Sequence, residues 1–267
     1  MNFKLFCRKI IKTSILFFFT NALTKRFLEN KLFFFNKSNF LLSITVENLN
    51  SNPHIIKNYQ EKYGKNFQKI FWNSKIAKKW HKDFESSKLI DEYFDLVSGL
   101  FTVSDFRSVL DVGCGHGLLT SKLSYKFKNT KFFGIDISEN AINEANQNFK
   151  CENLEFSLKS FFSIDSKFDF IFSVSAVDYI NENEIEKFIF KMLNQSSQFV
   201  IISSLRGVNF SDFLKLKNTT SISRYDIGYV HPINRILNSL NQSINLKFKI
   251  SKCGFDSVFV HVNKISK

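Results

Sequence analysis

The sequence predicts an α/β protein: a doubly wound mixed sheet of seven strands with an antiparallel closing hairpin, preceded by a helical region. Three observations lead there. Short apolar runs alternate with helical patterns from about residue 106 onward. A glycine-rich turn joins the first run to the first helix, and the last two runs are parted only by a short turn around Gly254. Alternating strand and helix units give parallel strands covered on both faces, and a tight hairpin pairs antiparallel, so the sheet is mixed.

Taken in order, strands are expected at Ser108–Val112, Lys131–Asp136, Leu154–Leu158, Phe168–Val174 and Gln198–Ser204. Helices are expected between them at Leu118–Lys128, Glu139–Phe149 and Glu182–Leu193, the last started by Asn181 with Glu184 three residues on. Asn245–Ile250 and Ser257–Val262 form the hairpin. Ahead of the sheet, Tyr59–Leu100 is helical in pattern, with Phe71, Trp72, Ile76, Trp80, Phe84, Leu89, Tyr93 and Leu96 at threes and fours. Trp72 and Trp80 share a face there, which assigns them to packing. The expected division is residues 1–50, a basic Phe-rich segment; 51–105, a helical lid region; and 106–267, the ligand-binding domain.

Composition narrows the function classes. The chain of 267 residues is 44% hydrophobic and 23% charged, which excludes wholesale disorder. Its net charge of +13 is concentrated: residues 1–40 hold eight Lys/Arg against Glu29 alone, together with ten Phe. Asn2–Phe19 reads as an amphipathic helix that packs its Phe face on the protein or lies on an anionic membrane surface as a peripheral anchor. Its longest apolar run, Ile15–Phe19, is too short to span a bilayer. Cys7, Cys114, Cys151 and Cys253 show neither CxxC spacing nor a disulfide framework, so no metal site is expected and a reducing, cytoplasmic setting suits them.

The chemistry concentrates in Val109-Leu-Asp-Val-Gly-Cys-Gly-His-Gly117, where a buried strand carrying Asp111 runs into three alternating glycines and a helix start. Such a turn brings backbone N–H groups close to a ligand. Gly134-Ile-Asp136 follows, with an acid at a strand end placed to accept two ribose hydroxyls. A dinucleotide site would show G-x-G-x-x-G over a diphosphate. Here the pattern is G-x-G-x-G with Asp111 two residues ahead, which suits a cationic amino acid group better.

These residues resemble the class I S-adenosylmethionine-dependent methyltransferases, over about Phe106 to Val262. The resemblance implies a Rossmann-like sheet with the last strand antiparallel, S-adenosyl-L-methionine as cofactor and methyl transfer as the reaction. By analogy Asp111, Gly113 and Gly115 line the methionine part, with Cys114 and Gly117 completing the loop. Asp136 holds the ribose, and Ile137 packs on the adenine. The acid usual after the third strand is replaced by Ser160, which leaves the adenine amino group to that hydroxyl or to the backbone beside Phe161. Ser173, in Phe168-Asp-Phe-Ile-Phe-Ser173-Val-Ser175-Ala-Val-Asp178-Tyr179, is placed near the methyl donor.

For proton transfer, His231 in Tyr229-Val-His-Pro232 is the leading candidate, and Asp178 with Tyr179 stands at the mouth of the site. His116 faces the cofactor, and His81 belongs to the lid region. The acceptor is expected to be a small molecule, saccharide or lipid precursor. An RNA methyltransferase or a non-catalytic cofactor-binding scaffold are the alternatives. Against nucleic acid, the fourth strand ends in Ser-Val-Ser-Ala, and Pro53 and Pro232, the chain's two prolines, lie elsewhere.

Overall fold

The computed structural model describes residues 68–74, 77–79, 82–83, 88–220, 228–254 and 256–265. The chain divides into two units, residues 1–76 and 77–267. The basic segment 1–40, Trp80 and His81 lie outside the described residues. In the first unit, residues 68–72 are helical, and the Trp72 ring meets Phe71 edge-on at 5.2 Å. In the second, helical residues at 77–79 and 82–83 precede the continuous fold.

That fold runs α1 (Leu89–Leu100), β1 (Ser108–Val112), α2 (Leu118–Lys126), β2 (Lys131–Asp136), α3 (Glu139–Asn148), β3 (Leu154–Leu158), β4 (Phe168–Val174), α4 (Ile185–Gln195) and β5 (Ser196–Ser204). It ends with α5 (Phe210–Lys215), α6 (Ile233–Asn241), β6 (Leu246–Cys253) and β7 (Ser257–Lys264), and short 3-10 turns lie at Phe161–Ser163 and Ala176–Tyr179. The sheet order is β3-β2-β1-β4-β5-β7-β6. Strands β1 to β5 are parallel, and β7 is antiparallel to both its neighbours. Seven strands and the antiparallel closure agree with the sequence reading.

Alternate residues of each central strand feed opposite faces, so the strands are apolar throughout rather than alternating. Val109, Phe170, Phe172, Val200, Ile202 and Phe259 pack with Ile90, Tyr93 and Val97 of α1 and Leu119 and Leu123 of α2. Leu110, Ile171, Phe199, Ile201 and Val260 pack on the other face with Phe188, Ile189 and Met192 of α4 and Ile236 and Leu237 of α6. Phenylalanine abundance is spent here: Phe101 stacks on Phe127 at 4.3 Å and Phe106 on Phe170 at 4.7 Å. At the sheet's lower edge, Asp169 Oδ2 accepts both Arg107 and Ser108 N–H at 2.8 Å, fixing the starts of β1 and β4.

Two details differ from expectation. Helix α4 begins at Ile185, because residues 181–184 are spent on a turn in which Glu184 N donates to Asn181 O at 2.8 Å. Helices α5 and α6 stand where no element was expected. The signal for α6 was present, since Ile233, Ile236, Leu237 and Leu240 recur at helical spacing and the first three are buried. No helix among the described residues is long and apolar enough to cross a membrane.

Candidate cofactor site and acceptor end

Strand order reverses between β1 and β4, and in open α/β sheets the crevice outside the carboxyl ends at such a point receives ligands. The glycine loop stands there. Gly113 leaves β1 with φ 78°, and the N–H groups of Gly113 and Cys114 both donate to Ile135 O, at 2.8 and 3.0 Å. Gly117, with φ 82°, is the N-cap of α2. At both positions the absence of Cβ serves the protein as well as the turn. A Cβ on Gly113 would fall 2.2 Å from Ala176 Cβ, and one on Gly117 would fall 2.5 Å from Phe156 Cζ.

The two acids differ in environment. Asp111 is almost fully buried, with Oδ2 accepting Thr120 Oγ1 at 2.6 Å. Burial pushes its pKa up to about 7, the Thr120 hydrogen bond acting against this and Asp136 with it. Asp136 is half-buried at the end of β2. Its Oδ2 accepts Gly115 N–H at 2.9 Å and its Oδ1 accepts Ser138 N–H at 2.8 Å. One carboxylate therefore clasps the glycine loop to the start of α3, where Ser138 Oγ caps the helix by accepting Ala141 N–H at 3.2 Å. Each oxygen keeps acceptor capacity for a hydroxyl. Ile137 is half-buried beside it. Cys114 sits in the loop with its thiol pushed well up by burial and by the nearby carboxylates of Asp111 and Asp136, hence protonated.

The remaining expected cofactor residues split. Ser160 is exposed at the end of β3, and its carbonyl accepts Ser163 N–H and Oγ–H at 3.0 and 2.7 Å. Phe161 is buried, its ring 5.1 Å from that of Phe188. Ser173 is fully buried and donates to Val112 O at 3.0 Å. Its hydroxyl ties β4 to β1 beneath the loop.

At the ends of β4 and β5, polar groups meet each other. Asp178 accepts Ser203 Oγ at 2.6 Å and Ser204 N–H at 3.1 Å, and lies 3.5 Å from Arg206 Nη2. Its carbonyl receives Tyr229 N–H at 2.6 Å. Tyr179 is half-buried, with the Arg206 guanidinium 5.3 Å from its ring centre. His231 is fully buried. Its Nε2–H donates to Val177 O at 3.1 Å, and its Nδ1 accepts Thr219 Oγ1 at 3.0 Å. Burial pushes its pKa down to about 4, so the ring is neutral at physiological pH. Both ring nitrogens are thus engaged by the protein. Arg206, Ser203 and Thr219 were missed by sequence reasoning. Arg206 had one cue, its place two residues after β5 and before Gly207, and it adopts φ 50° there. Ser175 also carries a left-handed φ, 58°, where β4 ends. Such strain in a non-glycine residue concentrates at functional positions.

Comparison with known proteins converges on this region. Residues 104–227 match a methyltransferase domain family. A release factor glutamine methyltransferase of Fusobacterium nucleatum is 28% identical over 149 residues, 51% of this chain and 42% of the relative. A malonyl-[acyl-carrier protein] O-methyltransferase of Bacillus cytotoxicus is 30% identical over 84 residues, 29% of this chain and 28% of the relative. The chain spans less than half the length of these curated relatives. Among solved structures, the magnesium protoporphyrin IX methyltransferase of Synechocystis, with bound SAH, superposes with a TM-score of 0.55 at 16% identity, covering 79% of this chain and 99% of that one. A plantazolicin methyltransferase in complex with SAH gives 0.52 at 16% identity, covering 85% and 98%. At these identities the structural likeness establishes the fold.

Proposed function

We propose, on the premise that residues 104–227 form a class I methyltransferase domain, that the chain binds S-adenosyl-L-methionine and passes its methyl group to a small-molecule, saccharide or lipid-like acceptor. The observation that carries this reading is the clasp of Asp136 on Gly115, which sets a carboxylate with spare acceptor capacity beside a glycine loop at the topological switch point. The donor set fits the cofactor. Asp136 would take the ribose hydroxyls, Asp111 would attract the ammonium group near Gly113 and Gly115, and Ile137 with Ser160 and Phe161 would flank the adenine. Cys114 and Gly117 shape the loop without ionising or intruding. When bound, the cofactor supplies an electrophilic methyl group on a sulfonium.

The protein's part in transfer is mainly alignment, because an in-line displacement gains much of its rate from positioning. Tyr179, half-buried at the mouth, is the side chain that meets the acceptor. Asp178 and His231, both engaged internally, hold the shelf beneath it and act as positioning residues. A lipid-like acceptor is supported by the relative whose name specifies malonyl-[acyl-carrier protein], a protein acceptor by the one named for release factor glutamine, and nucleic acid is disfavoured by the Ser-Val-Ser-Ala stretch at the end of β4.

Calorimetric titration with S-adenosylmethionine tests the reading. Asp136→Ala should weaken binding by about 2–3 kcal/mol, since a charged acceptor of two hydroxyl hydrogen bonds is lost. Wild-type affinity in a folded Asp136→Ala protein would place the ribose elsewhere and end the assignment.

A further inference from the structure

Glu144 lies outside every part of the site described so far, yet it touches two of the elements around it. It stands on α3, two turns beyond the clasp of Asp136. One carboxylate oxygen is bonded to Lys78 Nζ, on the helical residues 77–79 ahead of α1. The other lies 3.6 Å from Nε2 of His116, the residue between Gly115 and Gly117 in the cofactor loop. Lys82 adds a second positive charge to the same carboxylate. His116 is nearly buried, at 6% exposure, while Glu144 is 28% and Lys78 48% exposed. The Lys78 hydrogen bond, assisted by the charges of His116, Lys78 and Lys82 and opposed by partial burial, keeps the Glu144 carboxyl below the usual range, so it is ionised at neutral pH.

An exposed Lys–Glu pair alone contributes little to stability. This pair differs in what it connects. The helical residues 77–79 are far in sequence from α3, and the glycine loop is the part of the protein whose backbone must stay fixed against a ligand. We propose that Glu144 is a positioning residue that tethers the residues around Lys78 to the rim of the cofactor site and steadies the loop through His116. The tether slows cofactor escape and depends on ionic strength, because its outer half is solvent-accessible. The inference deepens the cofactor reading above and rests on it for its kinetic arm.

The test uses the full chain and three variants, Glu144→Gln, Lys78→Ala and Lys78→Arg, with S-adenosylhomocysteine as the probe. Stopped-flow dissociation should be about twofold to fivefold faster in Glu144→Gln and Lys78→Ala, and restored by Lys78→Arg. Raising salt should speed the wild type and Lys78→Arg toward Glu144→Gln and Lys78→Ala, and leave those two unchanged. Amide exchange without any ligand should show faster exchange at residues 113–118 in Glu144→Gln, with the unfolding midpoint close to wild type. Equal dissociation and equal exchange in wild type and both disruptive variants would overturn the proposal. So would a loss that Lys78→Arg fails to restore and that follows a falling unfolding midpoint, which marks a merely structural pair. Failure of the wild type to bind the probe would sink the cofactor reading alone, since the exchange measurement still decides the tether.

Discussion

The two ends of the crevice use carboxylates in opposite ways. At the glycine-loop end, Asp136 is half-buried and accepts two backbone N–H groups, from Gly115 and Ser138, and keeps further acceptor capacity. At the ends of β4 and β5, Asp178 is almost fully buried and is consumed by Ser203, Ser204 and Arg206. The first acid shapes a loop and remains available to a ligand. The second is a fastener between β4, β5 and the turn after it. An acid at the end of a strand in this fold is therefore read by its burial and its partners, not by its position alone.

The largest expected effect separates these roles. Asp178→Ala should cost about 3–5 kcal/mol of unfolding free energy, because it leaves Ser203 Oγ and Ser204 N–H without their acceptor and strips a buried arginine of its ion pair. Urea unfolding measures it. Asp136→Ala should cost less, about 1–2 kcal/mol for its two part-buried backbone N–H groups, while it weakens cofactor binding. If Asp178→Ala unfolds like the wild type but loses turnover, Asp178 belongs to the chemistry and the contrast breaks.

The second expectation concerns Asp111, which sharpens the cofactor side. Its folded pKa is raised from 3.8 to about 7. For folding, a raised carboxyl pKa contributes stability that is fully present below about 3.8 and lost as pH rises through about 7. Cofactor binding runs the other way, because a cationic ligand selects the ionised acid. Affinity should be flat above about pH 7 and weaken by about tenfold per pH unit below it, with proton release on binding. Asp111→Asn should bind more weakly at pH 8 and remove the slope. Titrations in two buffers of different ionisation enthalpy count the protons. A slope that survives in Asp111→Asn assigns it to another group.

How much of this was legible in the sequence follows the same division. The β1 to β4 bounds and the glycine loop were readable because both depend on local chemistry: apolar runs of strand length and a backbone that turns left-handed at Gly113 and Gly117. What the glycines avoid was not readable, since Ala176 comes from the turn after β4 and Phe156 from β3, both distant in sequence. The pairing that engages His231 was equally hidden. Thr219 and Val177 approach it from 12 and 54 residues away, and nothing in Tyr-Val-His-Pro distinguishes a proton carrier from a buried hydrogen-bonding ring. Helix α6 was missed for another reason: its period was present, but it lies in the connection between β5 and the closing hairpin, to which no element was assigned.

The smallest expected effect probes the adenine edge, where this chain departs from the family it resembles. Ser160 stands exposed at the end of β3, next to the strand that carries Asp136, and the turn there is held by its carbonyl, which accepts from Ser163. An aspartate there would add a charged acceptor for the adenine amino group at a solvent-exposed point. The gain is therefore discounted from that of a buried charged hydrogen bond to about 0.5–1 kcal/mol, or roughly twofold to fivefold in affinity. Ser160→Asp should tighten S-adenosylhomocysteine by that factor and leave unchanged the binding of its inosine analogue, in which an oxygen replaces the amino group. Ser160→Ala should change both by less than about twofold. Equal tightening of the two ligands would mean a general electrostatic effect, and tightening of neither would move the adenine edge away from Ser160, toward the backbone beside Phe161.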